Sequence, residues 1–308
     1  MKVKSVLILL LFAASAVAQS SDFNIKKVGD NVYAAIGVDG GKAGSDAGFI
    51  VGDKGVLVVD TFTTTEAARA LLEEIKKVTP QPVRFVVNTH YHLDHTGGNA
   101  VFAEAGATII AHQNLRGWVR TENLKFFGAD PKPEQRARVE ALVPPDETYD
   151  QAMDVYLGSR RVHLRYLPGH TGGDTVVFIP DANVVFGGDL VWQKHLPNLI
   201  DATTSAWIET LDRMLVAHPN ATFVPGHGDV ATPSDVKEFR NYLSTLRADI
   251  EKAKQAGKSG QALQDEVLPE IQAQYGTWGF FKNFAPRNIT QTEAELAGTK
   301  KVPQPAGN

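Results

Sequence analysis

The 308-residue chain contains no cysteine. That excludes disulfides, a lipid-bearing N-terminal cysteine, a thiolate nucleophile and any thiolate metal ligand, so a bound metal would rest on nitrogen and oxygen donors alone. Long apolar runs are also missing, and the run Val6 to Ala14 is too short to remain in a bilayer as an anchor. There is no G-x-S-x-G elbow, the strand-to-helix turn that presents a serine nucleophile. Basic excess is absent as well: the formal charge is −4, and its distribution suggests no nucleic-acid surface.

What is present suits a globular protein, with 43% hydrophobic and 21% charged residues, enough to bury a full core. The first residues read differently. Lys2 and Lys4 precede the apolar run, and Ala16-Val17-Ala18 precedes Gln19, the order of a cleavable secretory signal peptide. The expected location is therefore periplasmic or secreted. Without residues 1–18 the chain keeps 29 Lys+Arg against 35 Asp+Glu, a net charge of −6. The partner to expect is a small-molecule substrate, with no nucleic acid and no membrane anchor; the sequence leaves the oligomeric state open.

Short strands separated by turns are expected from Asn24 to Asp60, with the glycine-rich stretch Gly37 to Gly48 as a mobile hairpin tip. Thr63 and Glu66 have capping-box spacing and start a helix with Ala68, Leu71, Leu72 and Ile75 on one face. An apolar strand, Val83 to Val87, then runs into Asn88-Thr89-His90. The arrangement recurs: Val162 to Leu167 leads to His170, Val184 to Phe186 leads to Asp189, and Thr222 to Val224 leads to His227. Helical stretches lie between, at Asn99 to Ala105, Gln113 to Phe127, Pro133 to Val143 and Thr204 to Ala217. After Thr232-Pro233 the pattern turns helical, with Ser234 to Ala256 and Gly260 to Tyr275. The fold class is α/β (α+β), divided into residues 1–18, a catalytic domain 19–233 and a C-terminal helical extension 234–308.

The chemistry concentrates in Thr89-His90-Tyr91-His92-Leu93-Asp94-His95-Thr96-Gly97-Gly98-Asn99. Four metal-capable side chains fall within six residues, and imidazole and carboxylate are what zinc accepts when thiolate is absent. Five of the nine histidines, His90, His92, His95, His170 and His227, sit where apolar strands give way to loops, with Asp94 and Asp189 beside them. Gathering imidazoles this way costs desolvation, and repulsion whenever they are protonated; coordination removes that cost. Gly97-Gly98 lets the backbone pack closely behind them. His112, His163 and His218 are expected to be structural. The aromatic run Tyr275 to Phe281 suits helix packing against the core, a pocket wall or an oligomer contact.

The run His90-x-His92-x-Asp94-His95, followed in order by His170, Asp189 and His227, resembles the metallo-β-lactamase superfamily over about residues 24 to 232. The resemblance implies a four-layered αβ/βα sandwich with metals in a groove at one edge of two sheets. It implies two zinc ions per chain, leaving iron and manganese open: His90, His92 and His170 on one, Asp94, His95 and His227 on the other, and Asp189 between them. Asp94 and Asp189 are then the catalytic carboxylates, in a hydrolase that opens a lactam, lactone, ester or related acyl bond, possible β-lactamase activity included. Trp192, Lys194, His195 and Asn198 follow the bridging carboxylate and are candidates for binding substrate, with Tyr91 close by. True lactamases that use a thiolate carry Cys where this chain has Asp189, and their substrate-gripping Lys falls at Trp192, leaving Lys194 as a substitute. Two further readings remain open: a mononuclear iron sulfur-dioxygenase, which by resemblance would use only His90, His170 and Asp189, and a catalytically silent metal-binding protein.

Overall fold

The strand Gly55–Val59 is buried along its whole length, so both of its faces are covered. Its side chains alternate between two partners: Val56 and Val58 meet a helical layer, Leu57 and Val59 a second sheet. The structure, a computed structural model, describes residues 22–305; the expected signal peptide lies outside them. Strands β1 (Phe23–Gly29), β2 (Val32–Gly37), β3 (Ala47–Gly52), β4 (Gly55–Val59), β5 (Val83–Val87), β6 (Thr108–His112) and β7 (Glu147–Tyr149) form one sheet in that order. Strands β8 (Ala152–Leu157), β9 (Arg160–Tyr166), β10 (Thr175–Ile179), β11 (Val184–Trp192) and β12 (Thr222–His227) form the other, in the order β12-β11-β10-β9-β8.

Helices α1 (Thr65–Val78), α2 (Leu93–Thr96), α3 (Asn99–Glu104), α4 (Gln113–Trp118) and α5 (Pro133–Glu140) belong to the first half of the chain. Helices α6 (Thr204–Ala217), α7 (Pro233–Gln255), α8 (Gly260–Tyr275) and α9 (Phe281–Leu296) follow. Ala67, Leu71 and Ile75 of α1 and Phe102 of α3 pack on the outer face of the first sheet. Trp207 and Leu211 of α6, Phe239 and Leu243 of α7, Ile271 of α8 and Ile289 of α9 share a core with Val185 and Phe223 of the second sheet. With Ile50, Leu57, Val162, Leu164 and Phe186 between the sheets, the layers run helix, sheet, sheet, helix, as expected.

Direction of the strands gathers the site. β4, β5 and β6 are parallel, so their C-terminal ends share one edge; β11 and β12 are parallel too, which brings Asp189 and His227 together at theirs. Loops at the carboxyl ends of parallel strands are where open sheets present polar groups.

The structure departs from the sequence expectations in several places. The α1 cap is Thr64, whose Oγ1 accepts from Ala67 N at 3.2 Å, because Thr61 and Thr63 are already tied by their N–H groups to His95 O and Ala43 O. The segment 113–127 is not one helix: α4 stops at Trp118 and a 3₁₀ turn, Glu122–Phe127, follows. Asn123 causes the break, since its side chain donates to Val119 O and Tyr91 O and accepts from Leu93 N. The glycine-rich stretch is pinned, not a free tip: Ser45 Oγ donates to Asp94 O at 2.6 Å and Asp46 N to Gly226 O at 2.7 Å.

The C-terminal helices are fastened to the sandwich by a half-buried carboxylate. The first turn of α6 has no side-chain cap of its own; Glu295 of α9 accepts from Thr204 N at 3.0 Å and Ser205 N at 3.3 Å and pairs with Arg247 of α7 at 2.8 Å. Negative charge at a helix N-terminus is favourable, and removing it here also takes from Arg247 its nearest carboxylate. Glu295→Ala is therefore expected to lower stability by about 2 kcal/mol in chemical unfolding; an unchanged midpoint would show that the contact contributes nothing.

Candidate metal centre

Seven side chains converge at the shared edge in two groups. The donor atoms of His90, His92, His170 and Asp189 lie within 4.8 Å of one another, as do those of Asp94, His95 and His227. Asp189 faces both. Its Oδ2 is 3.2 Å from His170 Nε2 and 3.8 Å from His90 Nε2, while its Oδ1 is 3.1 Å from His95 Nε2 and 3.5 Å from His227 Nε2. Asp94 Oδ2 stands 3.3 Å from His227 Nε2 and 3.6 Å from His95 Nε2. One expectation is adjusted: Asp189 lies within β11, not after it, and its presentation depends on an irregularity in the β11/β12 ladder around Gly188.

These residues fit a cation. His90 Nε2, His95 Nε2 and Asp189 Oδ1 are buried without a hydrogen bond of acceptable geometry, although buried polar atoms are ordinarily paired. Burial pushes His90 and His170 down, His170 to about 3, which holds both as the neutral imidazoles that coordinate metals. Burial works against charge on His95 and His227 as well. There the facing carboxylates Asp189 and Asp94 outweigh it, raising both, His227 to about 9. The same imidazoles overcome the effect of burial on Asp189 and hold it well below the usual carboxylate range. Close approach behind the ligand loop requires glycine: a Cβ at Gly98 would sit 2.2 Å from Thr61 O.

The family model for the metallo-beta-lactamase superfamily matches residues 40–227, more than half of the chain. The chain belongs to that superfamily. It is 26% identical over 243 residues to the metallo-beta-lactamase type 2 of Bacteroides fragilis, a stretch covering 74% of this chain and 90% of that one. A solved metallo-beta-lactamase from Pontibacter korlensis superposes with a TM-score of 0.58 at 23% identity, over 72% of this chain and 99% of the other. A double mutant of the sec-alkyl sulfatase PisA1 superposes with a TM-score of 0.68 at 16% identity, over 90% of this chain and half (50%) of the other. The His/Asp cluster is thus the metal-binding site of a metallo-hydrolase superfamily fold.

Within this metallo-beta-lactamase fold, two aspartates outside the cluster orient it. Asp60 accepts from His95 Nδ1 at 2.9 Å and from Thr89 N and Oγ1 at 2.8 and 2.7 Å, while Thr89 Oγ1 lies 3.1 Å from His90 Nδ1. Asp201 accepts from His92 Nε2 at 3.1 Å, from Lys125 Nζ at 2.6 Å and from the Tyr91 hydroxyl. These bonds assign the proton to His95 Nδ1 and His92 Nε2, leaving His95 Nε2 and His92 Nδ1 free to face the cluster. Burial would raise Asp201, but His92 and Lys125 hold it lowered, so it stays an acceptor. Sequence reasoning gave neither residue a role; the only available signal was that Asp60 directly follows a wholly apolar strand. Asp201→Ala is expected to weaken metal affinity by about 10–100-fold with the fold retained, measured by competition with a chromophoric chelator.

Over the cluster lies a groove of about 360 Å³, lined by Trp192 and Asn198 of the four residues considered for substrate binding. Trp192 donates from Nε1 to Asp189 O at 2.8 Å and stacks on His227 at 4.1 Å. Lys194 and His195 do not line it. A positive φ of 54° at Lys194 turns the chain away, and its amine pairs with Glu238 at 2.7 Å. His195 Nδ1 bonds Gln193 O at 2.8 Å and the residue bridges to Gly279, opening on a neighbouring cavity. His112, His163 and His218 lie outside both groups: His112 stacks on Tyr166, His163 pairs with Asp154 and His218 packs on Phe178. Of the aromatic run, Tyr275 and Trp278 enter the core while Phe280 reaches the groove.

Proposed function

We propose that the protein is an exported hydrolase that holds two zinc ions and opens a lactam, lactone, ester or related acyl bond. The observation that carries this reading is the placement of Asp189, one oxygen toward each donor group. His90, His92 and His170 would hold one ion, Asp94, His95 and His227 the other, with Asp189 shared. Bound there, the ions would lower the pKa of water and polarise the carbonyl under attack, so no protein nucleophile is required.

The chain's own residues supply the rest. Asp94 is the most exposed member of the cluster, its side chain 33% accessible, and it lines the groove. Burial raises its pKa, but His95 and His227 more than reverse that, to about 2, so at neutral pH it is an ionised carboxylate able to take up a proton and pass it to a leaving group. Trp192 closes the floor beside His227, and Asn198 offers an amide to a substrate carbonyl. The second donor group supports hydrolysis over the mononuclear iron reading, which gives Asp94, His95 and His227 no work. Export is supported by the order basic, apolar, small in residues 1–18.

The test is elemental mass spectrometry of the purified mature protein, with nitrocefin and lactone turnover assayed on the same sample. Close to two zinc ions per chain with turnover is expected. One iron per chain and no hydrolysis would overturn the proposal in favour of the dioxygenase.

A further inference from the structure

Resting on the hydrolase reading, we infer that the substrate is an uncharged molecule whose apolar part lies against a wall supplied by the C-terminal helices, with Phe280 as its specificity-determining residue. Among the described residues, no Lys or Arg lines the groove over the cluster. Two of the nearby cations are engaged elsewhere: Lys125 with Asp201 at 2.6 Å and Lys194 with Glu238 at 2.7 Å. A carboxylate or sulfate remote from the reacting bond would find no cationic side chain in the lining of this groove to offset the cost of leaving water.

The groove offers aromatic surface instead. Phe126 and Phe127 come from the 3₁₀ turn after α4, and Phe280 and Phe284 from the start of α9. Phe126 packs edge-on to His92 with centroids 4.9 Å apart, and Phe280 edge-on to His227 at 5.9 Å, so one ring lies against each half of the cluster. Both rings are nonetheless 37% exposed, and exposed aromatic surface bordering a polar centre marks a ligand site. The remaining polar lining, Thr63, Asn198 and Asn283, is neutral and suited to orienting a carbonyl or hydroxyl.

Phe280 is also held there at a cost. Its φ is 61°, the left-handed region that an aromatic residue rarely occupies. The residue before it is fixed from both sides, Gly279 N donating to Lys194 O at 2.8 Å and Leu196 N to Gly279 O at 2.9 Å, while a Cβ at Gly279 would strike the His195 ring. Strain maintained by surrounding bonds, at a ring left exposed over the cluster, points to use at the site. α9 lies beyond the stretch that the superfamily model matches, residues 40–227.

The test pairs two activated esters of nearly equal shape, neutral p-nitrophenyl 5-methylhexanoate and anionic mono-p-nitrophenyl glutarate, on the zinc-loaded protein. The neutral ester is expected to have the higher kcat/KM by about tenfold or more, and Phe280→Ala to reduce that ratio to about threefold or less, mainly through KM. A second readout needs no turnover: the neutral fluorophore N-phenyl-1-naphthylamine should bind saturably, and about fivefold or more weakly to Phe280→Ala and Phe284→Ala. Turnover of both esters with no charge preference, or with a preference that Phe280→Ala leaves unchanged, overturns the inference and leaves the hydrolase reading standing. Fluorophore binding that depends on Phe280, with neither ester hydrolysed, supports the apolar site and counts against the hydrolase.

Discussion

Asp189→Ala is expected to reduce hydrolysis at least ~10³-fold and to lower the metal content of a protein that remains folded. The reasoning starts from charge. Asp189 and Asp94 are the two carboxylates that face five imidazoles at the groove, and only Asp189 reaches both donor groups. Without it His90, His92 and His170 have no anionic companion among the donors of their group, and His95 and His227 keep Asp94 alone. Two zinc ions bound as proposed would then lose the negative charge between them, so the loss would be larger than that of one ligand. The backbone is not the casualty, because β11 is paired on both sides, with β10 and β12. His92→Ala is the informative companion: hydrolysis is likewise abolished, but the second group stays whole and retains its ion. Elemental analysis, turnover and circular dichroism on the same preparations check both. Near wild-type turnover in either variant would show that the donor set has been wrongly assigned.

The cluster was legible because its members are close in sequence or share one setting. Four fall between His90 and His95, and His170, Asp189 and His227 each come soon after an apolar run of the sequence. The α/β class was legible because strands and helices interleave along the chain, and the sandwich through the family resemblance; the wholly apolar β4 agrees with cover on both faces. What escaped depends on distance along the chain. Asp60 meets His95 across 35 positions and Asp201 meets His92 across 109, and a lone aspartate in a loop carries no mark of such a partner. Lys194 misled for the opposite reason: neighbouring Trp192 and Asn198 in sequence, it is turned outward by its own backbone angle. β8 escaped because its outward residues leave only Val155 and Leu157 buried, too short an alternation to distinguish from a loop. The groove wall at Phe280 rests on a main-chain bridge between His195 and Gly279, which no local pattern encodes.

Stripping the metal is expected to lower the thermal midpoint by about 10 °C or more at neutral pH, and the size of the drop should depend on pH in a defined direction. Each ion bound at a thousand times its dissociation constant stabilises the fold by about 4 kcal/mol, and a domain of this size moves by about 2–4 °C per kcal/mol. Protons partly replace the cations in the stripped protein. His227, raised to about 9, and His95, raised in the same direction, take up protons against Asp189 and Asp94. A histidine whose folded pKa is raised stabilises the fold fully below its unfolded value, about 6.5, and loses that contribution as pH rises through the folded value. The stripped protein therefore loses this support between about pH 6.5 and 9. In the loaded protein the same imidazoles would be unprotonated ligands, leaving no such contribution to lose. The gap between loaded and stripped midpoints should accordingly widen from pH 6.5 to 9, other titrating groups cancelling in the difference. Zinc binding near pH 7 should also release about one to two protons, visible by calorimetry in buffers of different ionisation enthalpy. A gap that stays constant across that window, with no proton release, would mean that His95 and His227 are not displaced by metal, and Asp94 would lose its place in the centre with them.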